Sequence, residues 1–370
     1  MMKIAVPIHS FEPGGVERVG LNLCAAWQAL GDEVTVVLGR TDGAMRETAP
    51  ALEHWLVPEP FPTAAVETPW LIRVLHRYLR HNSADVIFAA GNTYAIVAVA
   101  MKLLLGRRCP PVAIKLSNDL YRKDMIAPYR AAYHWWLRVQ GGLLDHCVGM
   151  AQPMRAEIAE LMRVPDEKIT IIEDPSLGEA QFAALSALPR PPRTGLAPHF
   201  VAVGRLAPQK NFPLLLRAFA RLDDPAALLT ILGEGPDRPR LERLALELGI
   251  ADRLNLPGHV ADTLPTLARA SAFVLSSDYE GVPAVVIEAL AAGLPTVATR
   301  CSVSLPGLLG DGAFGQLVDV GDVAGFAAAM RSVRDMPFDP AAARCAAAPF
   351  RISQAASRYR AVFAKLVANR

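Results

Sequence analysis

The sequence predicts an α/β protein made of two doubly wound, parallel-sheet domains. Three observations carry that prediction. Apolar runs short enough to be buried strands alternate regularly with helical stretches, which is the pattern of βαβ units. At 370 residues the chain is too long for one ordinary core and suits two of roughly 150–200 residues each. Residues Pro189–Pro198, PRPPRTGLAP, combine proline and glycine with no apolar period, as a connector does. The expected division is therefore a first domain over 1–180, a connector over 181–198 and a second domain over 199–352, followed by a terminal helix over 353–370.

The amino half opens with an apolar strand, Lys3–Ile8, and a tight loop, Glu12-Pro13-Gly14-Gly15. An amphipathic helix over Val16–Leu30 and a strand over Glu33–Leu38 complete a βαβ unit. The loop lacks the GxGxxG spacing, and the second strand ends Leu38-Gly39-Arg40 with no acidic residue, so a nicotinamide cofactor is not implied. A further strand, Pro111–Leu116, runs into Ser117-Asn118-Asp119. Asp119 can orient a substrate hydroxyl or cap the following segment, and the residues alone leave both roles open. His9 ends the first strand and reads as a satisfied loop histidine. Tyr129–Arg138, YRAAYHWWLR, sets tryptophans and tyrosines beside Arg130 and Arg138. That composition suits a bilayer interface with anionic headgroups, and equally an amphipathic helix packed on its own domain.

The carboxyl half carries the chemistry. A strand over Phe200–Leu206 leads into Ala207–Asn211, APQKN, and an apolar helix over Phe212–Arg221. Arg205 and Lys210 thus fall at the carboxyl end of a strand, where open α/β sheets bind ligands. Arginine offers a fork to a diphosphate, and lysine a mobile point charge. Leu228–Leu232 precedes Gly233-Glu234-Gly235-Pro236, and Asn255–Val260, NLPGHV, supplies a short strand and turn. In Ser276–Thr299, the carboxylates Glu280 and Glu288 stand eight residues apart around a helix start. Helix N-termini present unpaired N–H groups and a positive dipole end, which attract phosphate. An anion site with a carboxylate on each side suits a ligand with hydroxyls on both sides of its phosphates, such as a nucleotide sugar.

Taken in order, GRLAPQKN, LGEGPDR, LPGHVAD and the Glu280-x7-Glu288 segment resemble the retaining glycosyltransferases of family four, with the GT-B architecture of two Rossmann-like domains and a donor cleft between them. The resemblance is strong over Phe200–Asp322 and looser elsewhere. It implies hexosyl transfer from a nucleoside diphosphate sugar, with a UDP-sugar favoured, to a glycan, lipopolysaccharide or lipid-linked acceptor in cell-envelope polysaccharide synthesis. Arg205 and Lys210 would neutralise the departing diphosphate, Glu280 would hold the hexose and Glu288 the ribose. Gly14, Gly15, Gly233, His259, Val260, Gly281, Val282, Pro283, Ala284 and Val285 would line the donor site. The terminal helix would return to the first domain. Two departures stand out. Asn118 and Asp119 occupy the place where family members often show histidine, and Gly307 stands where relatives often carry glutamate. A sugar-nucleotide epimerase, or a non-enzymatic nucleotide-sugar-binding protein, would share this fold.

Composition narrows the remaining classes. A formal net charge of +2 argues against nucleic acid as partner. The chain begins MMKIAVPI without signal-peptide character, and the apolar stretch Ala95–Leu105 is half the length of a membrane span and contains Lys102. A cytoplasmic protein is expected, with peripheral contact at the inner membrane face left open. Five scattered cysteines imply neither zinc nor a disulfide framework, and no Asp-x-Asp is present, so no metal cofactor is expected.

Overall fold

The computed structural model describes residues 1–369 except Pro13, Thr48, Asn118, Asp119, Lys123, Asp124 and 191–196. The chain forms two compact units, Met1–Pro175 with Ile352–Arg370, and Ser176–Arg351. The division falls ahead of the 181–198 stretch read from sequence as a connector. Residues Glu179–Ser186 are helical, and Leu185 is buried in the core of the second unit, so the first part of the expected connector packs as part of that unit.

Unit 1 is built on seven strands: β1 (Lys3–Ile8), β2 (Glu33–Leu38), β3 (Glu53–Trp55), β4 (Val86–Ala89), β5 (Val112–Lys115), β6 (His146–Gly149) and β7 (Ile169–Ile171). All pairs are parallel, in the order β3-β2-β1-β4-β5-β6-β7. The order reverses between β1 and β4, where a doubly wound sheet opens a crevice at its carboxyl edge. Near-continuous apolar runs such as VIFA and VAIK are buried along their whole length, because helices cover both faces.

The terminal helix Ile352–Ala368 belongs to this unit. Its anchor is Trp27, fully buried on the first helix, Gly15–Ala29. The Trp27 indole N–H donates to the Ala356 carbonyl at 3.0 Å. The ring meets Phe88 and Phe363 edge-on, each with centroids 5.1 Å apart. Arg360 adds an ion pair at 2.7 Å to Asp32, whose carboxylate is fully buried.

Unit 2 holds six strands: β8 (His199–Val203), β9 (Leu228–Leu232), β10 (Leu254–Gly258), β11 (Ala272–Leu275), β12 (Thr296–Thr299) and β13 (Gly315–Val318). They pair in parallel in the order β10-β9-β8-β11-β12-β13. Along β8, Phe200 and Ala202 enter one apolar cluster while Val201 enters the other, so both faces are packed. β8 stops at Val203, short of the sequence reading that ran it to Leu206. Past that point the backbone leaves the ladder, and Leu206 N–H donates to Glu234 O at 3.0 Å. Arg205 therefore lies in a loop, free of a strand's alternation.

Trp27→Ala should destabilise unit 1 by about 3–5 kcal/mol, the range for emptying a buried aromatic site. Amide exchange in Ile352–Ala368 should accelerate before that of the central strands. Unchanged protection of that helix would show that Trp27 is not its anchor.

Candidate functional site

The strand order of unit 2 reverses between β8 and β11, so the loops after these two strands flank the crevice that a parallel sheet opens there. The β8 loop ends in a turn, Pro208–Lys210, closed by Asn211 in a left-handed conformation (φ 44°). The Asn211 side chain accepts from Leu214 N–H at 3.3 Å, capping the helix Phe212–Phe219, and donates to Asp278 at 2.7 Å. Asp278 N–H donates to Gln209 O at 2.8 Å, and Gln209 in turn donates to Tyr279 O at 2.8 Å. The β8 and β11 loops are thus stitched together by backbone and side chain.

At the centre of that junction Lys210 Nζ meets Glu280 Oε1 at 2.6 Å, with side chains 18% and 12% exposed. Ser277 Oγ donates to the same carboxylate oxygen at 2.7 Å. Ser276 Oγ donates to Lys210 O at 2.8 Å, fixing the base of the lysine as well as its tip. A lysine has three N–H donors, so a diphosphate can be met without breaking the ion pair. Arg205 is exposed and makes no ion pair among the described residues.

Three serines not singled out from sequence hold the β11 loop. Besides Ser277, Ser302 Oγ and Ser304 Oγ both donate to the Gly281 carbonyl, the latter at 3.2 Å. Glu280 N–H donates to Cys301 O at 2.8 Å. Burial pushes the Cys301 thiol up to about 11, so it stays protonated beside the site. The helix Ala284–Ala291 follows Pro283 at its N-cap, and the first N–H groups, on Ala284 and Val285, precede its own hydrogen-bond ladder. Glu288 is the fifth residue of this helix, little more than one turn from its start. Its carboxylate accepts from Gln181 at 3.1 Å.

The neighbouring loops close the edge. Gly233 has φ 148°, and a Cβ there would stand 1.9 Å from Gly204 O, so only glycine lets these loops approach. Gly233 N–H donates to Gly258 O at 2.9 Å, placing His259, which is exposed, and Val260 just beyond β10. Glu234 and Arg238 form a bidentate pair, with contacts of 2.7 and 2.8 Å, that holds the Glu234 carboxyl below its usual range. Arg205, Lys210, Gly233, His259, Val260, Glu280, Gly281 and Val282–Val285 thus gather at the carboxyl edge of one sheet.

Unit 1 has its own carboxyl-edge features. Gly14 caps the helix Gly15–Ala29, and a Cβ on Gly15 would meet nothing within 4 Å. Both line a cavity of about 620 Å³ with Arg18 and Asn22. Beside it His9 stacks on Tyr94 at 4.8 Å, and the Tyr94 hydroxyl donates to Glu17 at 2.8 Å. Burial lowers the His9 pKa, which keeps the imidazole neutral. Tyr94 carried no motif and was invisible to sequence reading. Asp119 and Asn118 lie outside the described residues.

Residues 193–348 match the family model of glycosyl transferases group 1, and residues 13–174 match that of glycosyltransferase family 4. A lipopolysaccharide core biosynthesis glycosyltransferase of Rhizobium meliloti, LpsE, is 39% identical over 137 residues, 37% of this chain. That match spans 39% of the relative's own length. Among solved structures, the apo form of the lipopolysaccharide outer core galactosyltransferase WaaB superposes with a TM-score of 0.77 at 18% identity, covering 98% of this chain and 100% of that one. Anabaena HepE in complex with UDP and glucose gives 0.72 at 15% identity, with 99% and 100% covered. At these identities the structural likeness establishes the fold.

Lys210→Met and Glu280→Gln should each destabilise unit 2, because either leaves a partly buried charge or hydrogen-bonding group unmatched. The double variant should lose less than the sum of the two. Additive losses in urea unfolding would mean that the pair is not coupled.

Proposed function

Since the chain belongs to the family-four-like glycosyltransferases of GT-B architecture, we propose that it transfers a hexosyl unit, with retention, from a nucleoside diphosphate sugar to a glycan, lipopolysaccharide or lipid-linked acceptor. The observation that carries this reading is the Lys210–Glu280 pair at the strand-order reversal of a sheet whose adjoining loops supply Arg205 and a helix N-terminus. In the proposed complex Arg205, Lys210 and the N–H groups of Ala284 and Val285 receive the diphosphate. Glu280, already tied to Lys210, faces the hexose hydroxyls. Glu288, oriented by Gln181, receives the ribose hydroxyls. A UDP-sugar is the proposed donor, in keeping with the UDP and glucose bound in the HepE structures.

The chemistry follows from that charge arrangement. The bond between the anomeric carbon and the phosphate oxygen breaks as Arg205 and Lys210 stabilise the charge that develops on the diphosphate. The departing oxygen takes the proton of the acceptor hydroxyl, and the new glycosidic bond forms on the face just vacated. No covalent sugar–enzyme intermediate is needed. The two cations and the N–H groups perform the neutralisation that a divalent metal performs elsewhere, so transfer is proposed to be metal-independent.

The acceptor side belongs to unit 1 in this reading. Tyr129 and Trp135 are 69% and 64% exposed on the helix Ala127–Leu143, with Ile126 65% exposed just before it. Arg138 is exposed on the same helix. This favours the membrane-facing alternative over a helix wholly packed on its own domain, and proposes peripheral contact with an anionic bilayer. No helix among the described residues is long and apolar enough to cross a membrane.

Arg205→Ala and Lys210→Ala should each cut kcat by about 10²–10³, the scale of removing one donor to a developing oxyanion. Glu288→Ala should instead raise the donor Kd with a smaller change in kcat. EDTA should leave the wild-type rate intact. Near-wild-type turnover by both cation variants, or loss with EDTA restored by magnesium, would overturn the assignment. For stereochemistry, NMR of the first-formed product from an α-configured donor should show an α linkage. A β linkage would require a base opposite the leaving group and would remove the front-face mechanism.

A further inference from the structure

The amino edge of the unit 1 sheet, opposite the edge that carries Gly14 and His9, holds a cavity of about 540 Å³. Four cations line it, from three separate places in the chain. Lys102 lies in the last turn of the helix Ala95–Leu105, Arg107 follows that helix, Lys168 immediately precedes β7, and Lys365 belongs to the terminal helix. Two carboxylates, Asp145 and Glu167, are all that oppose them in the lining. Asp145 is already engaged, by an ion pair with Lys102 and by the Val112 N–H at 2.7 Å. Arg107, Lys168 and Lys365 make no ion pair with any described residue, although they converge on one concavity.

The uncompensated charge is felt by His146, which also lines the cavity. His146, first residue of β6, is 9% exposed and bonds Thr170 Oγ1 through Nε2 at 2.8 Å. Burial first, and then the Lys365 and Lys168 ammonium groups, push its pKa down to about 4. Three unpaired cations held together cost Coulomb energy that an anion would remove.

We propose that this amino-edge cavity is a second anion-binding site, separate from the proposed donor site and taking a phosphate or diphosphate group. The volume admits a pyrophosphate or the phosphate end of a larger molecule. Arg107 supplies a planar fork, and the two lysines supply point charges from either side. Because Lys365 and Val362 come from the terminal helix, a bound anion ties that helix to the start of β5 and β7. Occupancy then stabilises unit 1 by mass action. The free group and a phospholipid headgroup share this chemistry, and the experiment separates them.

The site has a built-in reporter. Histidine NMR on the full chain, with His146 assigned from the His146→Asn spectrum, is recorded against pH with inorganic pyrophosphate and, separately, with phosphatidylglycerol vesicles. An anion beside the two lysines should raise the His146 pKa and raise Tm. Response to pyrophosphate identifies a soluble phosphate ligand, and response to vesicles alone identifies a headgroup. Lys168→Gln with Lys365→Gln should raise the His146 pKa without ligand, abolish the ligand-dependent shift and weaken binding roughly tenfold per cation. Both lysines are exposed, so this variant should keep its fold, which circular dichroism checks. Arg205→Ala with Lys210→Ala should leave the His146 response unchanged. No shift in His146 with either probe overturns the proposal, as does a shift that survives removal of both lysines.

Discussion

The reversal of strand order at β8 is the constraint from which the site in unit 2 follows. A parallel sheet sends every strand in the same direction, so all its strand-to-helix loops leave from one edge. Where the order turns back, consecutive crossovers go to opposite faces and the loops after β8 and β11 part. Lys210 and Glu280 stand on those two loops, 70 residues apart in sequence and 2.6 Å apart in space. Everything else at this edge supports that approach. Asn211 and Asp278 hold the loops together, Gly233 allows the β9 loop close to Gly204, and the serines after β12 secure Gly281 from behind.

Such a pair is a poor investment for stability alone. Two partly buried charges lose hydration that their mutual attraction only partly restores, and an apolar pair of the same volume would often serve the fold as well. In the proposed donor complex its value lies in what it holds ready. Glu280 and the Ser276 hydroxyl fix Lys210 at both ends, so the ammonium would need no ordering on binding a diphosphate. Preorganisation of this kind is what makes fixed charges effective in a crevice from which water is excluded. Cys301, packed against the same loop with its thiol held protonated, adds volume without competing as a nucleophile.

The elements legible from sequence were those whose pattern is local. The strand β8, the turn with Lys210, the Gly233 loop and the helix after Pro283 are all written in runs of five to ten residues. Gly233 was named through the family resemblance alone, and Cβ geometry adds the reason for a glycine there, the close approach to Gly204 O. What was not legible depends on distant partners. Ser302 and Ser304 look like ordinary loop serines until the fold brings their hydroxyls to the Gly281 carbonyl. Gln181 sits in a stretch that read as connector, because a short helix with small residues carries little periodicity, and its packing against the core of unit 2 is a tertiary fact. Tyr94 became visible only when β1 and β4 were paired side by side, bringing His9 to its ring.

Unit 1 shows the same logic carried to both edges of a sheet. Its carboxyl edge is shaped by the β1–β4 reversal, which gathers His9, Tyr94 and Glu17 into a cluster joined by ring stacking and hydrogen bonds. At its amino edge the strands begin, and the reversal opens no crevice there. A cavity forms at that edge because the terminal helix is laid across unit 1 by Trp27 and by the Arg360–Asp32 pair, far along the chain from the strands it covers. That helix brings Lys365 toward Lys168 without bringing a carboxylate to match. An anchoring contact made of aromatic packing thus has an electrostatic consequence at the far end of the same helix. The two edges differ in charge because one is built by strand order and the other by where a distant helix comes to rest.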